Sequence, residues 1–170
     1  RVKDLLSRGM STFGVGRYSG SSGNNWPKDP SSIVPIYREY AEALREYGLL
    51  ERSYLYTYDE PKPENEAVAQ RVQGITRAVH EANPMLKNLI VLQSTPTYEQ
   101  YAEWLKDIDI VCLRNVSFDP KQAEKIRQAG KELWIYCSGP SYPYPTFVID
   151  YPTMAYRVLP WMAWKYHLAP

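Results

Sequence analysis

Strand and helix signals alternate along this chain about five times, and each strand is a short apolar or aromatic run without polar interruption. That pattern constrains the fold to a parallel sheet buried on both faces, with helices packed outside it. After an opening helical pattern (Val2, Leu5, Leu6), Met10 to Val15 reads as a short strand running into an aperiodic Gly/Ser/Asn loop, Arg17 to Ser32. Ile33, Ile36, Tyr37, Tyr40, Leu44 and Tyr47 share one helix face that Gly48 terminates. Ser53 to Tyr58 is the next strand. A helix over Glu64 to Asn83 follows, with Val68, Val72, Ile75, Val79 and Ala82 on one stripe before Pro84.

Asn88 to Gln93 is short enough for a buried strand, and Thr97 with Gln100 suggests a capping box for a helix through Leu105. Asp109 to Leu113 is a strand. Asp119-Pro120 opens a helix that Gly130 closes. Leu133 to Cys137 is a further strand, followed by the proline-rich loop Ser138 to Pro145. A last helix, Tyr151 to Tyr166, carries Met154, Val158, Trp161 and Met162, with Pro160 expected to kink it.

A unit of about 25 to 35 residues suits a (β/α) barrel, but a complete one takes about 250, and this chain has 170 residues. Two architectures remain: an open doubly wound domain, or most of a barrel without its first strands and its last. The start inside a helical pattern favours the second. The expectation is α/β, an incomplete TIM-type barrel with about strands 3 to 7 and their helices, residues 1–170 being one partial catalytic-barrel domain of a longer protein.

Composition removes several function classes. Lys plus Arg number 20 against 19 Asp plus Glu, with no run of five like charges, so no electrostatic footprint for nucleic acid or an anionic membrane exists. No apolar run approaches the roughly 20 residues that span a bilayer. Two cysteines, Cys112 and Cys137, exclude a disulfide scaffold. His80 and His167, the only histidines, stand in no ligand-spaced cluster, so neither metal nor cofactor is expected. The compositional anomaly is 15 tyrosines and five tryptophans. Such rings pack sheets and helices, and they also stack on the C–H faces of sugars.

The segment with most chemical content is Tyr54-Leu55-Tyr56-Thr57-Tyr58-Asp59-Glu60-Pro61, an aromatic strand stopping at two adjacent carboxylates. A structural explanation exists, since acids before a helix favour its N-terminus by about 0.3–1 kcal/mol. Chemistry is favoured because the pair sits at the carboxyl edge of a strand, where α/β sheets present groups to ligands. Adjacent carboxylates repel, so one is expected to hold its proton near neutral pH. Tyr58 and its neighbours would wall the site.

If Met10–Val15 is the third barrel strand, Ser53–Tyr58 is the fourth and Leu133–Cys137 the seventh. Many barrel glycosidases carry an acid/base after the fourth and a carboxylate nucleophile after the seventh. Here the seventh ends Ile135-Tyr136-Cys137-Ser138-Gly139, without a carboxylate. The two-carboxylate retaining mechanism then has no nucleophile. Attack by a substrate's own 2-acetamido oxygen needs none, only an acid/base and a second carboxylate, and Asp59 and Glu60 supply both.

These residues resemble glycoside hydrolase family 123 and the largely uncharacterised domains related to it. The resemblance lies in Tyr58-Asp59-Glu60-Pro61, in Gly130-Lys131-Glu132-Leu133-Trp134-Ile135-Tyr136-Cys137, and in Phe147-Val148-Ile149-Asp150-Tyr151-Pro152 with Arg157, Trp161, Trp164 and Tyr166. It spans about residues 33 to 170. It implies a barrel glycosidase beside a β-sandwich domain, extracellular or periplasmic, acting on terminal β-linked N-acetylgalactosamine or a related N-acetylhexosamine by substrate-assisted retention. By position, Glu60 would be the acid/base, Asp59 would orient the acetamido group, and Tyr136 would hydrogen-bond near it. Between Asp109 and Asn115 the expected tryptophan and proline are replaced by Ile110, Val111, Cys112, Leu113 and Arg114.

Arg17 and Asn115, each just past a strand, could bind sugar hydroxyls or simply face solvent, and Tyr142 in the proline-rich loop could line a cleft. Trp104, Trp161 and Trp164 are expected to pack within their helices. Asp150 is the one other carboxylate considered for a conventional glycosidase. The competing function is a non-catalytic carbohydrate-binding or structural barrel module.

Overall fold

A computed structural model describes residues 2–15, 26–62, 64–92, 98–139 and 143–168. Five strands, β1 (Phe13–Gly14), β2 (Ser53–Asp59), β3 (Lys87–Leu92), β4 (Ile110–Arg114) and β5 (Glu132–Tyr136), form one sheet in the order β1-β2-β3-β4-β5. Every neighbouring pair is parallel. Helices α1 (Val2–Ser7), α2 (Val34–Glu46), α3 (Glu66–Ala82), α4 (Tyr98–Tyr101), α5 (Pro120–Gln128) and α6 (Met154–Tyr166) intervene or flank.

The strand order never reverses. Right-handed crossovers then place each connecting helix on the same face, whereas a doubly wound sheet needs a reversal point. That alternative is removed. Leu55, Tyr58, Ile90, Leu92, Val111, Leu113 and Leu133 face the helices, packed with Val72, Ile75, Val79 and Ile126. Leu89, Val91, Ile110 and Cys112 face the other way, joined by Tyr54, Tyr56, Trp134 and Tyr136.

The sheet curls about that second face. Tyr54 on β2 and Trp134 on β5 are separated by two strands, yet their ring centroids lie 5.1 Å apart, edge to face. In a flat sheet three strand spacings amount to about 14 Å. The molecule is therefore a parallel half-barrel whose inner face is lined by aromatic side chains.

Helix ends follow the expected chemistry. Gly48 and Gly130 take left-handed φ of 67° and 77° just past α2 and α5, where a Cβ would be strained. Asp119 caps α5 by accepting from the Lys121 N–H at 2.7 Å. Three expectations change. The helix expected through Leu105 stops at Tyr101 and continues as turns, although the Leu105 N–H still donates to the Tyr101 carbonyl. Its proposed cap, Thr97, lies outside the described residues. Trp104 is buried as expected, but Trp161 and Trp164 are 70% and 76% exposed. Spaced three apart on α6, they share a face that no described element covers, continuous with exposed Met154 and Val158.

At the opposite end of the sheet, His80 Nε2 lies 2.9 Å from Asp109 Oδ2, which also accepts the Asn88 N–H at 2.7 Å. The hydrogen bond to Asp109 raises the His80 pKa, against the lowering effect of burial. A raised folded-state pKa stabilises fully below the unfolded value near 6.5 and is lost as pH rises through the folded one. His80→Gln should therefore destabilise most at about pH 6, by up to about 1 kcal/mol for a half-shielded pair. The difference should shrink as pH rises towards alkaline values. Melting curves across that range read it directly, and a pH-independent difference would show the pair contributes through packing alone.

Candidate functional site at the carboxyl rim

Register decides which side chains meet. Tyr56 pairs with Leu89 but Tyr58 with Ile90, leaving Thr57 as an extra residue in β2. A bulge of this kind reverses the alternation of everything after it. Tyr56 and Asp59, three residues apart, now share the inner face, and Asp59 falls level with Val91, Cys112 and Trp134 across the sheet. Tyr58 is the residue this displaces. Expected to wall the site, it is 8% exposed and packs in the helix-side core.

The bulge is built by buried polar groups. The Thr57 carbonyl accepts the Trp26 indole N–H at 2.9 Å, and its hydroxyl lies 3.1 Å from Asn88 Oδ1. The Asn88 amide in turn reaches the Thr76 carbonyl at 3.4 Å. Thr57, Thr76 and Asn88 are all fully buried. Thr57→Val keeps the shape but strands the Asn88 oxygen, which should cost about 1–3 kcal/mol. Activity should fall with it, because the same network sets where Asp59 points. Denaturant melts with kinetics on one preparation would check this; unchanged activity at lowered stability would separate the bulge from the site.

Glu60 follows with φ of 47°, one of two described non-glycine residues with positive φ. Its N–H still donates to the Val91 carbonyl at 2.9 Å, so the kink begins where strand pairing ends. Left-handed backbone at a glutamate, before a proline that favours extended geometry, is a strained state. Such strain clusters at sites that need an unusual side-chain direction. The Tyr136 hydroxyl, 76 residues away on the last strand, donates to Glu60 Oε1 at 2.6 Å. The Tyr56 hydroxyl donates to Asp59 Oδ1 at 2.5 Å.

Two consecutive acids are thus turned to the same inner face, each held by its own phenol. Burial, then the hydrogen bond to its carboxylate, pushes each phenol pKa well above the usual value near 10. Both tyrosines remain protonated donors at any physiological pH. Each bond takes one oxygen of its carboxylate. Cys112, on the same face, has its thiol raised to about 12 by burial, which removes it as a nucleophile.

Asn115 is not a surface group. It is 1% exposed, and its side-chain amide donates to the Pro145 carbonyl, tying the end of β4 to the loop after β5. Arg17 and Tyr142 lie outside the described residues. Sequence reasoning missed Tyr56, which the bulge hides, and Arg114. Arg114 was legible: the alternation Ile110, Cys112, Arg114 puts it on the inner face, in register with Tyr136. Among the described residues no group of three or more His, Cys, Asp or Glu is placed to hold a metal ion, and no helix is long and apolar enough to cross a membrane.

Comparison with known proteins bears on this rim. The family model described as glycoside hydrolase 123, catalytic domain, matches residues 27–169. No curated protein matches the chain. Among solved structures, one similar chain is a putative glycerophosphodiester phosphodiesterase from Galdieria sulphuraria, at 14% identity and a TM-score of 0.43. The match covers 79% of this chain and 46% of that one, so the present chain spans about half its length.

Proposed function

From a chain that belongs to glycoside hydrolase family 123 through its catalytic domain, we propose a hydrolase of terminal β-linked N-acetylhexosamine, N-acetylgalactosamine or a close relative, that retains configuration through its substrate's own acetamido group. The strands correspond to about 3 to 7 of a barrel completed by sequence beyond this segment, with an adjoining β-sandwich domain in the whole protein. Membership in the family makes the chain a glycosidase domain. The sugar and the mechanism are proposed on the chemistry of its rim.

The observation that carries it is the pairing of two phenol-held carboxylates, Asp59 with Tyr56 and Glu60 with Tyr136, on the inner face at the carboxyl rim. In this reading Glu60 gives its proton to the leaving oxygen. Asp59 accepts from the acetamido N–H, turning the carbonyl oxygen towards the anomeric carbon and stabilising the positive charge of the oxazolinium-like intermediate. Water, deprotonated by Glu60, then attacks the anomeric carbon from the face the leaving group vacated, breaking the ring's bond to that carbon and restoring the acetamido group and the β configuration. The β5 rim ends in Tyr136, not a carboxylate, which supports attack by the substrate. Asp150 lies in the turn beyond β5, and among the described residues no hydrogen bond joins it to the pair.

The test is hydrolysis of aryl β-N-acetylgalactosaminide and β-N-acetylglucosaminide by the intact protein, the first-formed anomer being read by proton NMR. The β-anomer from either sugar supports the reading, and the α-anomer contradicts it. Sugar binding with no turnover, unaffected by Glu60→Gln, would make this a carbohydrate-binding module.

A further inference from the structure

Among the described residues, the inner face carries one cation whose partners are incomplete. Arg114 closes β4, on the same face as Ile110 and Cys112 and opposite Tyr136 in register. Its terminal Nη2 donates to the Ser138 carbonyl at 3.4 Å, a long bond. Its Nε is buried without a hydrogen-bond partner among the described residues. No carboxylate among the described residues forms an ion pair with it. Asp59 and Glu60 accept instead from Tyr56 and Tyr136. Arg114 is close enough to act on the Tyr136 phenol, whose environment also includes Glu60 and Asp59.

A guanidinium carries five donors in a fork that matches planar or tetrahedral oxyanions. Holding one half-shielded, with a single weak bond, costs solvation that the described residues do not return. A ligand oxyanion would. We propose that Arg114 reads an anionic substituent on the glycan, so that the preferred substrate is an acidic amino-sugar chain bearing a sulfate ester or a carboxylate beside the sugar held at Asp59 and Glu60. This rests on the glycosidase reading for the presence of a sugar, but not on turnover. Charge logic supports it. Two carboxylates at the rim repel an anionic glycan, and a cation placed across from them on β4 gives the substituent one orientation in which it is accepted. A neutral glycan gains nothing from that cation.

Calorimetric titration of the intact protein with N-acetylgalactosamine, its 4- and 6-sulfates, and a disaccharide joining it to a uronic acid would test this. At least one charged ligand should bind about tenfold or more tighter than the neutral sugar, the size of one charge-assisted hydrogen bond. Which ligand wins distinguishes sulfate from carboxylate. The ratio should fall to near one in Arg114→Gln and be partly kept in Arg114→Lys, which retains charge without the fork. For wild type it should shrink between about 20 and about 500 mM salt, a readout that stands if the glutamine variant fails to fold. Equal binding of neutral and charged sugars, binding of neither, or a preference surviving in Arg114→Gln would overturn the proposal. An Arg114-dependent preference in a protein that hydrolyses nothing would keep it and remove the catalytic reading. Hydrolysis of neutral glycosides with no preference would do the reverse.

Discussion

Glu60→Gln should lower kcat on an unactivated glycoside by about 10²- to 10⁴-fold, the range that general acid catalysis contributes. On a dinitrophenyl glycoside it should cost about tenfold or less in bond cleavage. The split follows from which proton is needed. A sugar alkoxide is a poor leaving group and departs only with Glu60's proton; a dinitrophenolate departs without one. The substitution preserves local structure, because the glutamine carbonyl can still accept the Tyr136 hydroxyl that now donates to Oε1 at 2.6 Å. A loss equal on both leaving groups would show that Glu60 is not the acid. Added azide should rescue the activated substrate alone, since the vacated basic function no longer prepares the incoming water.

Asp59→Asn should behave differently, lowering kcat by about 10²- to 10³-fold on both kinds of substrate. Its proposed role precedes any leaving-group distinction: it orients the acetamido group and answers the positive charge that grows as the ring closes. Asparagine can accept from Tyr56 as aspartate does at 2.5 Å, so the loss reports charge and acceptor strength rather than collapse of the bulge. Tyr56→Phe, removing one hydrogen bond and no charge, should cost about tenfold. A dependence of the Asp59→Asn defect on the leaving group would move Asp59 from the acetamido side of the reaction to the proton-transfer side.

The parts of this account visible in the sequence were those with local causes. Repeating helix stripes, Gly48, Gly130 and the Asp119-Pro120 entry each mark an element through backbone chemistry, and five strands emerge in parallel order as the alternation requires. Asp59 and Glu60 stood out because two adjacent carboxylates at the carboxyl end of a strand lie where α/β sheets present groups to ligands. Their partners were less accessible. Period-two alternation sends Tyr56 and Tyr58 to the same face as each other and opposite Asp59. The extra residue at Thr57 breaks that rule, and its cause lies in Trp26, Asn88 and Thr76, far off in the chain. Pro61 signalled a boundary but not the left-handed turn at Glu60. Trp161 and Trp164 show the converse limit: an apolar helix face reads as a packed one, yet among the described residues no element covers it.

The central claim is that a substrate amide, positioned by Asp59, supplies the nucleophile this rim lacks. It is tested most directly by kcat/KM for aryl glycosides whose acetamido methyl carries zero, one, two or three fluorines. Each fluorine withdraws electron density from the attacking oxygen while barely changing its reach. The account predicts a steep, progressive fall that parallels the fluorine count; rates that stay level across the series would contradict it.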